Sequence, residues 1–258
     1  MIRHVLVTGS AGTIGRAVCK ALLAAGHRVR GFDLVPTPAV ADSIVGDIAN
    51  AELWEPAMQG VTAVVHLAAA LEWLDFLRDQ VPANVIAIYH LFEAARRHHV
   101  PRIVLASSVM VGGRERKDKS SMRTAEEITW PWNTYGATKV FAEEMGKVYA
   151  NASPTSVLAA RIAWLPRDAK SAREIQAKKA YGGYVSHDDA GRFFLRTVEA
   201  EHPQLGPGSF HALYLTSRAP EASHRWVDIS PARDLLGFEP QDVFPAGIPE
   251  EWGIRAEG

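Results

Sequence analysis

The 258-residue chain contains one cysteine, Cys19, so an internal disulfide framework is excluded. Cys19 falls in an apolar helical pattern, where a small buried thiol is the expectation. A lone thiol offers no zinc-ligand cluster, and no metal is expected. Lysine and arginine total 28 against 29 acidic residues, a formal net charge of −1. That balance gives no electrostatic reason to expect nucleic acid or an anionic membrane as a partner. No apolar run approaches the roughly 20 residues needed to span a bilayer. The first strand-like run starts almost at Met1, leaving no room for a signal segment, so a cytoplasmic location is expected. A Pro- or Ser-rich linker and internal repeats are also missing, and a single domain over 1–258 is expected.

What is present is an alternation of two periods. The runs Ile2–Val7, Val29–Phe32, Val61–Leu67 and Ile103–Ala106 are short and rich in β-branched residues, as strands buried on both faces should be. Helical spacing fills Ile14–Ala25, Ala51–Gln59 and Asn84–His99. Tyr135–Ala150 reads as a further helix and Thr155–Ile162 as a further strand. Strands alternating with helices imply parallel pairing through right-handed crossovers, hence an α/β, Rossmann-type doubly wound sheet. Arg114–Lys119 is a charged connection, expected to be a solvated loop. Beyond Ile162 the pattern weakens: Trp164–Gly183 predicts irregular structure with one short helix. Ser186–Ala200 predicts a helix with a Ser186/Asp189 capping box. Segments 163–186 and 205–258 are expected on the substrate side.

The first strand runs directly into Thr8-Gly9-Ser10-Ala11-Gly12-Thr13-Ile14-Gly15, and a helix follows. Glycines in that context let the backbone turn sharply and approach a pyrophosphate at the helix N-terminus. The second strand ends at Asp33, an acidic residue placed to accept from adenosine ribose hydroxyls. The same carboxylate would repel a 2′-phosphate, and Leu34 and Val35 supply no arginine to bind one, so NAD is expected over NADP. The alternative is a solvated turn aspartate. Asp47, after the strand-like run Ser43–Gly46, is placed either to contact adenine or to cap the next helix.

Tyr135 and Lys139 lie four apart at the start of a helix, on one face. A phenol is a poor base near neutrality, and a neighbouring ammonium brings its phenolate closer to working range. Ser107 and Ser108 end the strand Ile103–Ala106 at the sheet edge where α/β enzymes place ligands. Trp130-Pro131-Trp132, just before Tyr135, either flanks the substrate mouth or is buried packing.

Together these pieces resemble the extended short-chain dehydrogenase/reductases, the NAD-dependent epimerase/dehydratase family. The likeness also takes in His66-Leu67-Ala68-Ala69, Arg161-Ile162, Ser186-His187-Asp188-Asp189-Ala190 and Leu235–Pro240. The resemblance implies that Ser108 is the catalytic serine and Tyr135 the acid/base. It implies that Lys139 binds the nicotinamide ribose and lowers the tyrosine pKa. It implies cofactor contacts from Gly9, Gly12, Thr13, Ile14, Gly15, Asp33, Asp47, Ile48, Leu67, Ala68, Ala69, Asn84, Tyr135, Lys139 and Ile162. For Asn84, a helix cap is the other reading. A homodimer through the Asn84–His99 and Tyr135–Ala150 helices is also implied.

Within the family the chain looks most like the uronate dehydrogenases and related sugar C1 dehydrogenases, which oxidise an anomeric hydroxyl to a lactone with NAD. In that group an arginine at the position of Arg173 binds the substrate carboxylate, a role suited to a guanidinium fork. The group follows its serine with asparagine and histidine, where this chain has Val109 and Met110, and it has serine where this chain has Trp164. Ser108, Val109, Met110, Trp164 and Arg173 are thus the expected substrate-facing residues. Three apolar replacements also admit a less polar alcohol or ketone as substrate, and an NAD-retaining epimerase is a further alternative.

Overall fold

The computed structural model describes residues 1–112, 122–221, 223 and 225–254; the connection Arg114–Lys119 lies outside the described residues. Seven strands form one parallel sheet. They are β1 (His4–Thr8), β2 (Arg28–Asp33), β3 (Asp42–Val45), β4 (Ala63–His66), β5 (Arg102–Ser108), β6 (Ser156–Ile162) and β7 (Phe210–Leu215). Their order is β3-β2-β1-β4-β5-β6-β7. The chain winds outward from β1 in one direction and, after β3, from β4 in the other. The loops that leave β1 and β4 therefore diverge, and a crevice opens at their carboxyl ends.

Helices cover both faces, so the central strands are buried throughout, which explains their continuous apolar runs. On one face, α1 (Thr13–Ala24) and α6 (His187–Glu199) bring Val18, Leu22, Phe193 and Phe194 against Val5, Val7, Val104 and Leu158. The two helices approach closely because Gly191 has no side chain: a Cβ there would lie 2.9 Å from the Ala17 carbonyl oxygen. The other face carries α2 (Trp54–Met58), α3 (Ala87–Arg97) and α4 (Thr134–Ala152), with Trp54, Leu91 and Phe92 against Leu6, Val64 and Ile103. Cys19 is buried, and burial raises its thiol pKa to about 12. No helix among the described residues is long and apolar enough to cross a membrane.

The C-terminal part is more regular than its sequence suggests. The short helix expected between Trp164 and Gly183 is α5 (Ala169–Ala177). Strand β7 and helix α7 (Ser230–Leu236) were not anticipated; β7 adds to β6 in register, Val157 opposite Phe210 through Ile162 opposite Leu215. Ser186 caps α6 by accepting from the Asp189 amide at 2.8 Å. The reciprocal half of the expected capping box is not formed, because the Asp189 carboxylate is engaged elsewhere. Fully buried, it accepts from the Ser217 hydroxyl (2.7 Å), the Gln241 amide (2.9 Å), the Asp242 amide (3.1 Å) and Arg192 (2.7 Å). One carboxylate thus ties α6 to the end of β7 and to the segment beyond α7.

Candidate active site

The glycine loop sits where the diverging loops open the crevice. Gly9 has φ +65°, and a Cβ there would come within 2.7 Å of the Ala68 amide nitrogen, so the loops after β1 and β4 touch. A Cβ on Gly15 would lie 2.0 Å from the Gly9 carbonyl oxygen. Gly12 stands at the N-cap of α1 with no side chain to satisfy the helix amides, and the first turn holds no acidic residue. The first-turn N–H groups of Thr13, Ile14 and Gly15 are therefore left for an anion. Asp33 accepts from the Ala11 amide through Oδ2 at 3.0 Å, while Oδ1 takes no hydrogen bond from the described residues. A glycine loop opening onto free helix amides, with an acidic residue at the next strand end, fits a dinucleotide without a 2′-phosphate.

Asp47 turns back on its own chain and accepts from the Ala49 amide at 2.8 Å. The cap of the following helical turn is Asn50, not Asp47. Ile48 packs its side chain into the core and gives its carbonyl to the Trp54 indole at 2.7 Å. Asn84 is no helix cap either. It lies inside a π-turn (Pro82–Ile86), buried, with its Oδ1 accepting from the Ala70 amide and its Nδ2 donating to the Ala70 carbonyl, both at 2.8 Å. The same Nδ2 donates to Thr138 Oγ1 on α4 at 3.2 Å. It thereby fastens the Leu67-Ala68-Ala69 loop to the helix that carries Tyr135. At the base of that loop, Thr8 Oγ1 lies 2.8 Å from His66 Nδ1 and accepts from the Leu67 and Ala68 amides. With both amides on its oxygen, Thr8 donates to His66, which burial keeps neutral with a pKa pulled down to about 3.

At the end of β5 the two serines divide. Ser107 donates to Glu143 on α4 at 2.5 Å, and Glu143 in turn holds Arg161 of β6. Ser108 accepts from the Met110 amide at 3.2 Å, which leaves its own O–H free to donate to a substrate oxygen. Asn133 caps α4 by accepting from the Gly136 amide at 2.7 Å. A Cβ at Gly136 would meet the Met110 carbonyl oxygen at 2.7 Å, so the first turn of α4 abuts the loop that follows Ser108. Tyr135 stands in that turn, mostly buried. Lys139 donates to the Ala106 carbonyl at 2.8 Å, and its Nζ lies 5.4 Å from the Tyr135 ring centre.

Burial pushes the Tyr135 hydroxyl up to about 12 and the Lys139 ammonium down to about 8. The cation that opposes the rise at Tyr135 is Arg167, on the loop after β6, with Glu72 acting the other way. Arg167 also disfavours the Lys139 charge. The sequence held no signal for Arg167, which lies in an irregular loop. Glu143 was legible in principle, one turn beyond Lys139 on the same helix face.

The other expected substrate residues are more scattered. Val109 packs beside Tyr214, Val227 and Ile229, and Trp164 beside Ile175 and Tyr184 with Lys178 over its ring. Met110 Sδ faces the Asn133 amide at 3.8 Å. Arg173 is exposed on α5. Trp130 and Trp132 are exposed rather than buried packing, and the Trp130 amide donates to the Val111 carbonyl at 2.7 Å. Ile162 is buried at the end of β6.

Residues 5–165 match the model of the NAD dependent epimerase/dehydratase family. This chain belongs to that family. As a member of it, the protein is an NAD-dependent oxidoreductase of the extended short-chain type. It is 28% identical over 199 residues to a uronate dehydrogenase of Pseudomonas syringae pv. tomato, across 76% of this chain and 69% of the relative. It is 28% identical over 255 residues to an L-arabinose 1-dehydrogenase (NAD(P)(+)) of Haloferax volcanii, across 93% and 96%. Among solved structures, a glucuronic acid dehydrogenase from Chromohalobacter salexigens superposes with a TM-score of 0.79 at 28% identity, covering 100% of this chain and 91% of that one.

Proposed function

We propose that this family member oxidises the C1 hydroxyl of a cyclic sugar acid to the lactone. The observation that carries the reading is the division of labour at the end of β5. Ser107 is consumed by Glu143, while Ser108 keeps a free O–H next to the first turn of α4, where Tyr135 stands. Ser108 donates to the substrate oxygen and orients it. Tyr135, as phenolate, takes the hydroxyl proton while the C1–H bond breaks and the C1–O bond gains its second component. NAD, when bound, supplies the acceptor for the hydride and a positive ring beside the phenolate. Lys139 fixes the cofactor's nicotinamide ribose and keeps a second cation near Tyr135.

Two further observations support a sugar over a less polar alcohol. Val109 and Trp164, both half-buried, pack much of their apolar surface against neighbouring clusters. Of two relatives, one is by name a uronate dehydrogenase and the other an L-arabinose 1-dehydrogenase. In this reading segments 163–186 and 205–258 face the substrate. A homodimer through α3 and α4 accords with the exposed Ile86, Tyr89 and Val148, and sedimentation would test it. The deciding assay follows reduced nicotinamide on mixing the protein and NAD with galacturonate, glucuronate, neutral aldoses and simple secondary alcohols. NADH formed with the uronates supports the reading. NADH formed only with the alcohols removes the sugar. Silence, with NAD carried through purification, removes the dehydrogenase reaction in favour of an epimerase.

A further inference from the structure

The sheet order places β5 between β4 and β6. A contact between the loops that follow β4 and β6 must therefore pass over the end of β5, where Ser108 stands. Such a contact exists: the Arg167 guanidinium carbon lies 5.1 Å from the centre of the Trp73 ring. Trp73 is exposed, at 63%, although a large aromatic face is costly to leave in water. The peptide that leads into Arg167 is held at both its N–H and its C=O. The Arg167 amide donates to Ser171 Oγ at 3.0 Å, and the preceding Pro166 carbonyl lies 2.8 Å from His187 Nε2 on α6.

We propose that Arg167, stacked on Trp73, is the residue that recognises the carboxylate of the substrate, in place of Arg173. This deepens the sugar-acid reading above and rests on it. A guanidinium stacked through its face keeps its edge N–H groups free, and that edge matches the two oxygens of a carboxylate. Among the described residues no carboxylate pairs with the Arg167 side chain, so the fork is open to a ligand. The charge of Arg167 acts on both Tyr135 and Lys139, in keeping with a place where the loops after β4 and β6 meet across the end of β5. Both arginines are exposed, but Arg173, on α5, has no such influence on either group.

The test separates binding from turnover. In a Tyr135→Phe background saturated with NAD, galacturonate and galactose are titrated calorimetrically against the parent, Arg167→Ala, Arg167→Lys and Arg173→Ala. The expected result is a loss of galacturonate affinity of about ten-fold to a hundred-fold for Arg167→Ala. Galactose affinity should stay the same, and Arg167→Lys should recover only part of the loss because an ammonium lacks the planar fork. Arg173→Ala should resemble the parent. Equal galacturonate affinity in the parent and Arg167→Ala overturns the inference, and a loss confined to Arg173→Ala assigns the role there. A parent that binds no galacturonate overturns the inference together with the sugar-acid substrate. Arg167-dependent binding with no NADH formed by the protein carrying Tyr135 keeps the inference and removes only the proposed reaction.

Discussion

Glu143 and Arg161 form a bidentate ion pair inside the protein, Nε to Oε1 at 2.9 Å and Nη2 to Oε2 at 2.8 Å, with both side chains almost wholly shielded from water. Glu143 lies one helical turn beyond Lys139, so the pair anchors the face of α4 that carries the active site to β6. Its third hydrogen bond, from Ser107, anchors the same face to β5.

Removing one member of this pair leaves a buried charge unmatched. Glu143→Leu is expected to destabilise the fold by about 3–5 kcal/mol. The double variant Glu143→Leu/Arg161→Met should be clearly more stable than Glu143→Leu alone, because no charge is then stranded. Urea midpoints of the three proteins decide it; a double variant as weak as the single one contradicts the account.

Tyr135→Phe keeps the ring and removes the hydroxyl. The turnover number should fall by about 10²–10⁴-fold, while the affinity for NAD changes little. Steady-state rates and a cofactor titration, run side by side, check both halves.

Asn84→Ala cuts the link between the cofactor loop and α4 and strands the amide and carbonyl of Ala70. The expected stability loss is about 1–3 kcal/mol. Activity should drop further than stability explains, since Ala70 and Thr138, close to Ala68 and Tyr135 in the chain, lose their common tie. A turnover number unchanged at a temperature where the variant is fully folded would refute a positioning role.

Acid sensitivity should centre on His66. Its folded pKa is about 3 against an ordinary 6.5, so between those values the unfolded chain binds the extra proton. Stability from this site is complete above pH 6.5 and is lost as pH falls toward 3. His66→Asn retains an acceptor for Thr8 and cannot be protonated. Its urea midpoint should fall less steeply than the wild type's between pH 6.5 and 4.

Much of the architecture was legible because buried parallel strands leave short β-branched runs such as Val5–Val7 and Val104–Leu105, and because Tyr135 and Lys139 share a helix face by spacing alone. The part that escaped is governed by contacts distant in sequence. Strand β7 reads Phe-His-Ala-Leu-Tyr-Leu after a Gly-Pro-Gly stretch, and it becomes a strand because β6 offers an unpaired edge. Arg167 gains its place only when the loops after β4 and β6 fold over β5, and no local pattern encodes that meeting. Asn84 stands out in the sequence, but its partners Ala70 and Thr138 lie 14 and 54 residues away.

The Asp189 carboxylate has an implication for how this chain can be divided. Four donors from α6, β7's end and the segment around Gln241 converge on one fully buried acid. A shortened gene product stopping before Gln241 would keep every strand of the sheet yet leave that acid half-solvated at the heart of the missing joint. The portion up to β7 and the portion after it are thus not interchangeable cassettes. Grafting a new C-terminal portion to change specificity would have to carry the two amides that Asp189 accepts from, or replace the acid itself.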